Sequence, residues 1–377
     1  MNKIYLDYAA ATPMREEVLE AMKPYFSENF YNPSATYLAA RAARQDLEEA
    51  RGRAAQTLGA KPAEIIFTAG ATEANNLAIS GIAQRFSDGQ ILVSAIEHDS
   101  VLAPARRAGA QKIPVWADGR VNLDKLAKLI SDRTVLISVG LINNEIGTIQ
   151  PLKDIASLVS STRQKRLRAG NRRPLYLHTD AAQAPSYLDL HVARLGVDLM
   201  SINGGKIYGP KQTGLLYVKS SVELMPQIIG GGQEFNKRAG TENLPGVVGL
   251  AKALELAQAD KSEGARVKAL RNQLAEGILK LNNKAQINGP KKLYAPHILS
   301  VSFAGRDNER LMFELDEAGI ECGLGSACSA DSGEPSHVLK AIGLSDELAR
   351  ATLRFSLGAQ TSSAHIEKTL QALKNIL

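Results

Sequence analysis

The stretch Ser201-Ile-Asn-Gly-Gly-Lys206-Ile-Tyr-Gly-Pro210 places one lysine among three glycines and a proline, directly after the apolar run 197–202. A second apolar run, 215–217, follows soon after. This pattern predicts a strand, a tight turn that carries one amine, and another strand. Partial exclusion of water disfavours the charged form of an amine, so a lysine in such a turn can attack a carbonyl group. Most lysines in glycine-rich turns are simply solvated, so the rest of the chain has to decide between the two interpretations.

Strands and helices alternate on the N-terminal side of this turn. The periodicity predicts strands over 64–68, 90–95, 112–116, 135–141 and 175–179, and helices over 15–26, 34–58, 71–85, 100–108, 123–130 and 152–165. Such alternation is typical of an α/β fold in which a mostly parallel sheet lies between helices. Ligands of these sheets bind beyond the carboxyl ends of the strands, which is where the polar motifs of this chain fall.

The pattern changes from residue 243 onward. A long helical region reaches about residue 283 with a break near Gly264, and a strand at 298–303, a helix at 308–318, a strand at 351–355 and a helix from residue 363 follow it. These shorter elements predict a smaller C-terminal α/β domain, against which the first dozen residues fold back. We therefore expect a large domain over 14–256 and a small domain formed by 1–13 together with 257–377.

The composition is that of a globular protein. Of 377 residues, 44% are hydrophobic and 22% are charged, which is enough apolar material for a sizeable core. The chain has no run of 18 apolar residues and its first residues lack an apolar segment, so we predict neither a membrane span nor a signal peptide. The two cysteines, Cys322 and Cys328, are too few for a disulfide framework, and we expect a reducing, cytoplasmic location.

The net charge of +6 comes from one short segment. Residues 163–173 contain no acid and six basic side chains, which are Arg163, Lys165, Arg166, Arg168, Arg172 and Arg173. The rest of the chain has 39 basic and 39 acidic residues. A nucleic-acid enzyme would more often spread its basic residues over a groove. Two interpretations stay open: a solvated surface loop, or a docking patch for RNA or an acidic partner.

Polar motifs at the predicted strand ends together indicate a site for pyridoxal phosphate (PLP). Thr68-Ala-Gly-Ala-Thr-Glu-Ala-Asn-Asn76 opens a helix whose backbone N–H groups and Thr72 hydroxyl can hold a phosphate, although such helix starts also occur as plain turns. Asp180 ends an apolar strand and needs a cationic partner, which a protonated pyridine nitrogen would supply. Gln183, three residues later, could donate to a ring oxygen. Lys206 would supply the amine for the aldehyde of PLP.

Three further side chains are candidates for the reaction itself. His98 could stack on a flat ring or exchange protons near pH 7, and a surface or capping role is the common alternative. Cys328 lies among the small, polar residues of 323–336, where a thiol is either reactive or an incidental surface group. Arg354 lies in an apolar strand, where it would bind the carboxylate of an amino-acid substrate or form an internal salt bridge.

In this order, the residues resemble the cysteine desulfurases of the NifS/IscS type, a class V branch of the fold-type I PLP-dependent enzymes. The resemblance runs from Tyr5-Leu-Asp-Tyr-Ala-Ala-Ala-Thr-Pro to Leu-Arg-Phe-Ser-Leu-Gly358, and its most specific motifs are Gly-Ala-Thr-Glu-Ala-Asn-Asn, Asn-Asn-Glu-Ile-Gly and Gly-Ser-Ala-Cys. It implies a fold-type I transferase that removes sulfur from L-cysteine, releases L-alanine and leaves a persulfide on Cys328. The persulfide sulfur would be passed to iron–sulfur cluster assembly or tRNA thiolation.

The resemblance also implies a role for each matching residue, and it implies no metal. Lys206 would carry PLP and move the proton at the substrate α-carbon. Asp180 would pair with the pyridinium, Gln183 and Asn144 would contact the hydroxyl side of the ring, and Thr72 would bind the phosphate. His98 would stack on the ring and assist proton transfer, and Arg354 with Asn32 would hold the substrate carboxylate. Thr241 would reach the phosphate of a second subunit, which implies a homodimer.

One motif departs from the family pattern. The family usually has Ser-Gly-His-Lys up to the PLP lysine, whereas this chain has Asn203-Gly204-Gly205-Lys206. Asn203 can still donate to a phosphate through its amide, and Gly205 lets the backbone approach closely, so we expect a phosphate held more by backbone groups.

Two other functions stay open on the sequence. Another class V enzyme, an aminotransferase or lyase, would need Lys206 and Asp180 but not Cys328. A non-catalytic sulfur-relay or RNA-docking protein would keep the fold and use the basic segment 163–173 as its working surface.

Overall fold

The computed structural model describes residues 3–325 and 334–377. Its strands are β1 (Ile4–Tyr5), β2 (Ile65–Thr68), β3 (Gln90–Ser94), β4 (Gln111–Ile113), β5 (Thr134–Ser138), β6 (Tyr176–Asp180), β7 (Leu199–Asn203), β8 (Gly214–Val218), β9 (Ala285–Asn288), β10 (Ile298–Phe303), β11 (Ile320–Glu321) and β12 (Thr352–Ser356). Its α-helices are α1 (Glu16–Met22), α2 (Pro24–Ser27), α3 (Leu38–Leu58), α4 (Ala71–Arg85), α5 (Asp99–Arg107), α6 (Leu123–Leu129), α7 (Leu152–Arg168), α8 (Val192–Leu195), α9 (Gln233–Asn236), α10 (Leu244–Ala259), α11 (Ser262–Leu281), α12 (Asn308–Glu317), α13 (His337–Ala341), α14 (Asp346–Ala349) and α15 (Ser363–Ile376).

The larger sheet has seven strands in the order β2-β8-β7-β6-β5-β3-β4. β8 pairs antiparallel with both of its neighbours, and the other pairs are parallel, as the alternation of strands and helices predicts. Strands β2, β5 and β8 are buried along their whole length, because helices cover both faces of the sheet. The register places Asp180, the last residue of β6, opposite Ser201 of β7. The turn that carries Lys206 therefore begins just beyond this carboxylate.

A second hydrophobic core gathers the C-terminal elements. β12, β10 and β9 form an antiparallel sheet, and α11, α12 and α15 pack beside it. The N-terminal strand β1 pairs in parallel with β11, and Ile4 and Leu6 are buried in this second core. Most of the C-terminal core therefore lies beyond residue 256, together with the first residues of the chain. The domain limits at 13/14 and 256/257 stay a prediction.

Several predicted boundaries are wrong for local reasons. The helix expected over 15–26 is two helices, because Pro24 lacks the N–H that would continue α1. α3 begins at Leu38 and not at Ser34, because the Asn32 side chain accepts the Ser34 N–H at 2.9 Å and forms a local turn. β4 ends before Pro114, which cannot donate to a strand ladder. The break expected near Gly264 lies instead at residues 260–261.

The basic segment 163–173 is only partly a loop, which corrects the sequence interpretation. α7 continues to Arg168, and the Arg166 guanidinium is buried and donates to the carbonyl oxygen of Thr134 at 2.9 Å. Arg163 pairs with Asp198, and Arg173 pairs with Asp88. Half of the six charges therefore form internal contacts, and the exposed ones are Lys165, Arg168 and Arg172.

Within the described part of the chain, no helix combines the length and the apolar character that a membrane span requires.

Candidate active site

A cavity of about 160 Å³ lies at the carboxyl ends of β3, β5, β6 and β7. Eight of the side chains proposed from the sequence line it: Thr72, His98, Asn144, Asp180, Gln183, Asn203, Lys206 and Arg354. They come from eight different positions along some 280 residues of sequence, and the parallel sheet brings them together because the strands end at one edge. The remaining three predicted residues, Cys328, Asn32 and Thr241, are considered below.

Lys206 ends a single 3-10 turn, Gly204–Lys206, that follows β7 directly. The Asn203 side chain caps this turn by accepting the Gly205 N–H at 3.0 Å. A Cβ at Gly204 would lie 2.2 Å from the Thr213 hydroxyl, so only glycine fits there, whereas a Cβ at Gly205 would meet only ordinary contacts. The Lys206 ammonium donates to the carbonyl oxygen of Ala10. The amine is thus held at the cavity wall by a segment from the other end of the chain.

Asp180 accepts two hydrogen bonds from neutral donors. Its Oδ2 lies 2.7 Å from Nδ2 of Asn75, and its Oδ1 lies 2.9 Å from the backbone N–H of Ala182. Asn75 is fully buried and also donates to the Ser100 hydroxyl at 2.9 Å. The carboxylate is therefore oriented toward the cavity without a cation among these partners, which is the arrangement that a cationic ring nitrogen completes. Sequence reasoning missed Asn75, although its position one turn after Thr72 on the same helix could have indicated it.

The N-terminus of α4 opens on the same cavity. Its first residue follows Gly70, and among the described residues no side chain caps it. The first N–H groups of an α-helix have no partner within the helix, so those of Ala71 and Thr72 are available to an anion. Ala71 and Thr72 both line the cavity. An amine, an oriented carboxylate and an anion-binding helix start therefore share one space, and these are the groups that the aldehyde, ring nitrogen and phosphate of PLP require.

His98 is both a helix cap and part of the cavity wall. It precedes α5, and its Nδ1 accepts the Ser100 N–H at 3.1 Å and lies 2.9 Å from the Ser100 hydroxyl. Because Nδ1 accepts a backbone hydrogen bond, the neutral ring carries its proton on Nε2. The capping role considered for His98 is therefore present, and its place in the cavity wall leaves stacking on a ring and proton exchange as predictions.

Arg354, in the middle of β12, is 4% exposed. Its Nη2 donates to Asp7 at 2.7 Å, and its Nη1 donates to the carbonyl oxygens of Asn144 and Gly325 at 3.1 Å each. Its Nε has no hydrogen-bond partner among the described residues. The internal salt bridge considered from the sequence is therefore present, and the guanidinium also keeps a donor for a further acceptor. Sequence reasoning did not identify Asp7.

Two buried glutamates in the cavity wall were also missed. Glu97 is 4% exposed, and its Oε1 accepts the Gly140 N–H at 2.8 Å. Burial, together with the negative charge of Asp180, raises the pKa of Glu97 to about 8. Burial also raises the pKa of Glu145, which accepts the Ser336 hydroxyl at 2.5 Å. Neither glutamate has a sequence signal beyond its neighbours in the motifs of His98 and Asn144.

We predict that Glu97 makes stability fall as pH rises. Between its ordinary pKa of 4.5 and the folded value of about 8, the unfolded chain has lost this proton and the folded chain has kept it. Stability therefore falls through this window, by at most about 1.4 kcal/mol per pH unit. Because Glu97→Gln cannot ionise, the free energy of unfolding of this variant should rise relative to the wild type between pH 5 and pH 8 in urea denaturation. Glu347→Gln, at an exposed position, is the control, and its free energy of unfolding should differ from the wild-type value by the same amount at each pH. If the difference between Glu97→Gln and the wild type were equally independent of pH, the prediction would be wrong.

Three predicted site residues are not placed in this cavity. Asn32 lies on an exposed turn and does not line it. Thr241 lines a separate cavity with Gln212 and Arg238, and no described residue lines both spaces. Cys328 lies outside the described residues. The roles of these three residues stay predictions.

Comparison with known proteins identifies the family of the chain. The family model described as aminotransferase class-V matches residues 4–369. A protein named cysteine desulfurase IscS from Dictyoglomus turgidum is 42% identical, with 100% of this chain and 95% of the relative covered. A protein of the same name from Methanosarcina thermophila is 41% identical, with 99% of this chain and 92% of the relative covered.

Solved structures agree as well. A structure titled NifS-like protein is 32% identical and superposes with a TM-score of 0.90, with 99% of each chain covered. A structure of SspA in complex with cysteine is 36% identical and superposes with a TM-score of 0.80, with 94% of this chain and 99% of the other covered. The chain therefore belongs to the aminotransferase class-V family, in the branch of the NifS/IscS-type cysteine desulfurases.

Proposed function

We propose that this protein is a PLP-dependent cysteine desulfurase that removes sulfur from L-cysteine, releases L-alanine and leaves a persulfide on Cys328. The observation that carries the proposal is the meeting of Lys206, Asp180 and Arg354 in one cavity. The first two fit the cofactor, and the third fits the carboxylate of an amino acid. Two relatives that match this chain over nearly its full length are named cysteine desulfurase, which supports the same activity.

The residues proposed to hold PLP are those that the family resemblance implies and that line the cavity. Lys206 would bind the aldehyde, Asp180 the ring nitrogen, and Thr72, Asn203 and the start of α4 the phosphate. Gln183 and Asn144 would contact the hydroxyl side of the ring, and His98 would stack on its face. When bound, PLP supplies an electron-accepting ring that stabilises negative charge on the substrate.

The chain's own residues would then divide the reaction between them. The guanidinium of Arg354 binds the substrate carboxylate, with Asn32 as a second candidate, and so fixes the position of the α-carbon. The amine of Lys206 takes the proton from that carbon and returns one later, with His98 assisting proton transfer. The Cys328 thiolate attacks the substrate sulfur: a sulfur–sulfur bond forms, the carbon–sulfur bond breaks, and the carbon keeps the electron pair and takes up a proton to give alanine.

The direct test supplies the purified holoenzyme with L-cysteine and a thiol reductant and measures alanine and sulfide. A cysteine desulfurase forms the two products in equal amounts, because the reductant releases each persulfide sulfur. A class V aminotransferase would form a keto acid and no sulfide, and a sulfur-relay protein would release no alanine. Either outcome would refute the proposed function.

We also propose a homodimer in which Thr241 of one subunit reaches the cofactor phosphate of the other. Large apolar side chains are exposed on the single chain, among them Phe30 at 65%, Leu38 at 81% and Ile229 at 87%. Apolar exposure of this kind is typical of a surface that a partner covers. The separation of Thr241 from the main cavity within one chain also supports a role toward a second copy.

This proposal predicts that the wild type sediments as a dimer at micromolar concentration. Thr241→Ala should stay dimeric and bind PLP about tenfold more weakly, because it loses one hydrogen bond to a charged group. Sedimentation velocity and titration of the apoprotein with PLP measure the two quantities. Thr162→Ala, on α7 away from both cavities, is the matched control. A monomeric wild type, or unchanged PLP affinity in Thr241→Ala, would refute this arrangement.

For the sulfur acceptor we propose a cytoplasmic iron–sulfur scaffold or tRNA-thiolation protein. The name IscS of the relatives supports an acceptor of this class. Lys165, Arg168 and Arg172 are the exposed part of the basic segment and would face an acidic surface of such a partner. Transfer of ³⁵S from labelled L-cysteine to a candidate acceptor measures this step, and a label that stays on the enzyme excludes that acceptor.

A further inference from the structure

His297 is a buried imidazole next to a proposed cofactor ligand. It comes directly before β10 and is 2% exposed. Its Nε2 lies 3.1 Å from Oε1 of Gln183, and its ring stacks on Tyr187, with centroids 4.1 Å apart and planes 14° apart. The proposed mechanism gives His297 no role. Burying a polar ring costs free energy unless its polar atoms form hydrogen bonds, so a structural or functional role for this imidazole is expected.

The hydrogen bonds of Gln183 determine how its side-chain amide is oriented. Its Nε2 lies 2.9 Å from the carbonyl oxygen of Ala9, which can only accept. The amide nitrogen must therefore point to Ala9, and the amide oxygen to His297. Since that oxygen also only accepts, His297 must carry a proton on Nε2 and donate it. Its Nδ1 then bears a lone pair, and Nδ1 has no hydrogen-bond partner among the described residues.

The surroundings keep this ring neutral. Burial, together with the positive charge of Arg354, lowers the pKa of His297 to about 3. The Tyr187 ring covers one face. A neutral ring with its proton on Nε2 is therefore a fixed donor over the whole physiological pH range, and it does not act as a proton-transfer group.

We propose that His297 is a positioning residue for the cofactor site: by donating to Oε1 of Gln183, it fixes the amide so that the second N–H of Gln183 faces the cavity. One amide N–H is used by Ala9, and Gln183 lines the cavity, so the remaining N–H is directed at an acceptor there. The inference rests on the proposed function in one respect, because the acceptor is the ring oxygen of PLP. Loss of the His297 donor leaves a buried amide oxygen without a partner and lets the amide rotate.

His297→Phe and His297→Gln separate the donor from the ring. Phenylalanine keeps a flat ring against Tyr187 and removes the donor, whereas glutamine keeps an amide donor at about the distance of Nε2 from the backbone. For His297→Phe we expect PLP affinity to fall about fivefold to tenfold, the size expected for one lost hydrogen bond. We also expect the pH midpoint of the bound cofactor's visible absorbance to rise by roughly half a unit or more. The ring oxygen, having lost its donor, would hold the proton that it shares with the lysine nitrogen more strongly. His297→Gln should restore both values.

A Gln183→Ala background distinguishes positioning from general stability. If His297 acts through Gln183, His297→Phe changes neither PLP affinity nor the absorbance midpoint in that background. Wild-type values in the single His297→Phe variant, or equal effects in both backgrounds, would overturn the proposal. Should the phenylalanine variant not fold, ¹⁵N NMR of the wild-type imidazole decides: a proton on Nδ1 would overturn it. If PLP binding responds as expected while L-cysteine yields no alanine, the positioning role stands and the proposed function fails.

Discussion

A Lys206→Ala variant is expected to form alanine and sulfide from L-cysteine at least about 10³-fold more slowly than the wild type. The change removes the amine placed at the end of β7, and with it both the proposed attachment of the cofactor and the proposed group that moves the proton at the substrate α-carbon. The variant should also lose the visible absorbance of lysine-bound PLP. Turnover measured by alanine release, together with the absorption spectrum, tests both consequences.

Lys211→Ala is the matched control for this variant. Lys211 is exposed, lies five residues further along the same segment and does not line the cavity. It should keep wild-type turnover and the wild-type spectrum. Thermal unfolding of both variants shows whether the fold is intact. A Lys206→Ala protein that is folded and retains more than a tenth of wild-type turnover would contradict the role of this lysine.

A Cys328→Ser variant is expected to bind PLP as the wild type does and to release neither alanine nor sulfide. A serine hydroxyl stays protonated at neutral pH and does not attack the substrate sulfur as a thiolate would. Since the cofactor residues are unchanged, the absorbance of bound PLP should persist. The expected result is therefore loss of turnover with an unchanged absorption spectrum, whereas a defect in cofactor binding would change the spectrum.

Cys322→Ser is the control, because the two cysteines have different surroundings. Burial raises the pKa of Cys322 to about 12, so it is a neutral thiol at physiological pH and a poor nucleophile. We expect this variant to keep turnover, although a hydroxyl in place of this partly buried thiol lowers stability by about 1 kcal/mol. Full turnover in Cys328→Ser would show that the persulfide is not formed on Cys328 and would favour another class V reaction.

The sequence by itself identified eight of the side chains that line the cavity, although it missed Glu97 and Glu145. Lys206, Asp180 and Thr72 each follow a predicted strand, and in a parallel sheet the strand ends meet at one edge whatever the details of packing. Local pattern also determined most helices and strands, because apolar periodicity follows from which face each element buries. The local pattern predicted the wrong structure at 34–38, where the Asn32 side chain forms a turn with the Ser34 N–H. It was also wrong at 163–173, where α7 continues and Arg166 is buried.

Only the tertiary structure decided how these groups are held. Asp7 and Arg354 are 347 positions apart, and His297 and Gln183 are 114 apart, so no spacing rule links either pair. Asn75 under Asp180 and the protonation of buried Glu97 likewise depend on which elements pack against each other. Sequence patterns report local periodicity and strand ends, whereas hydrogen-bond partners and pKa values depend on distance and burial in space.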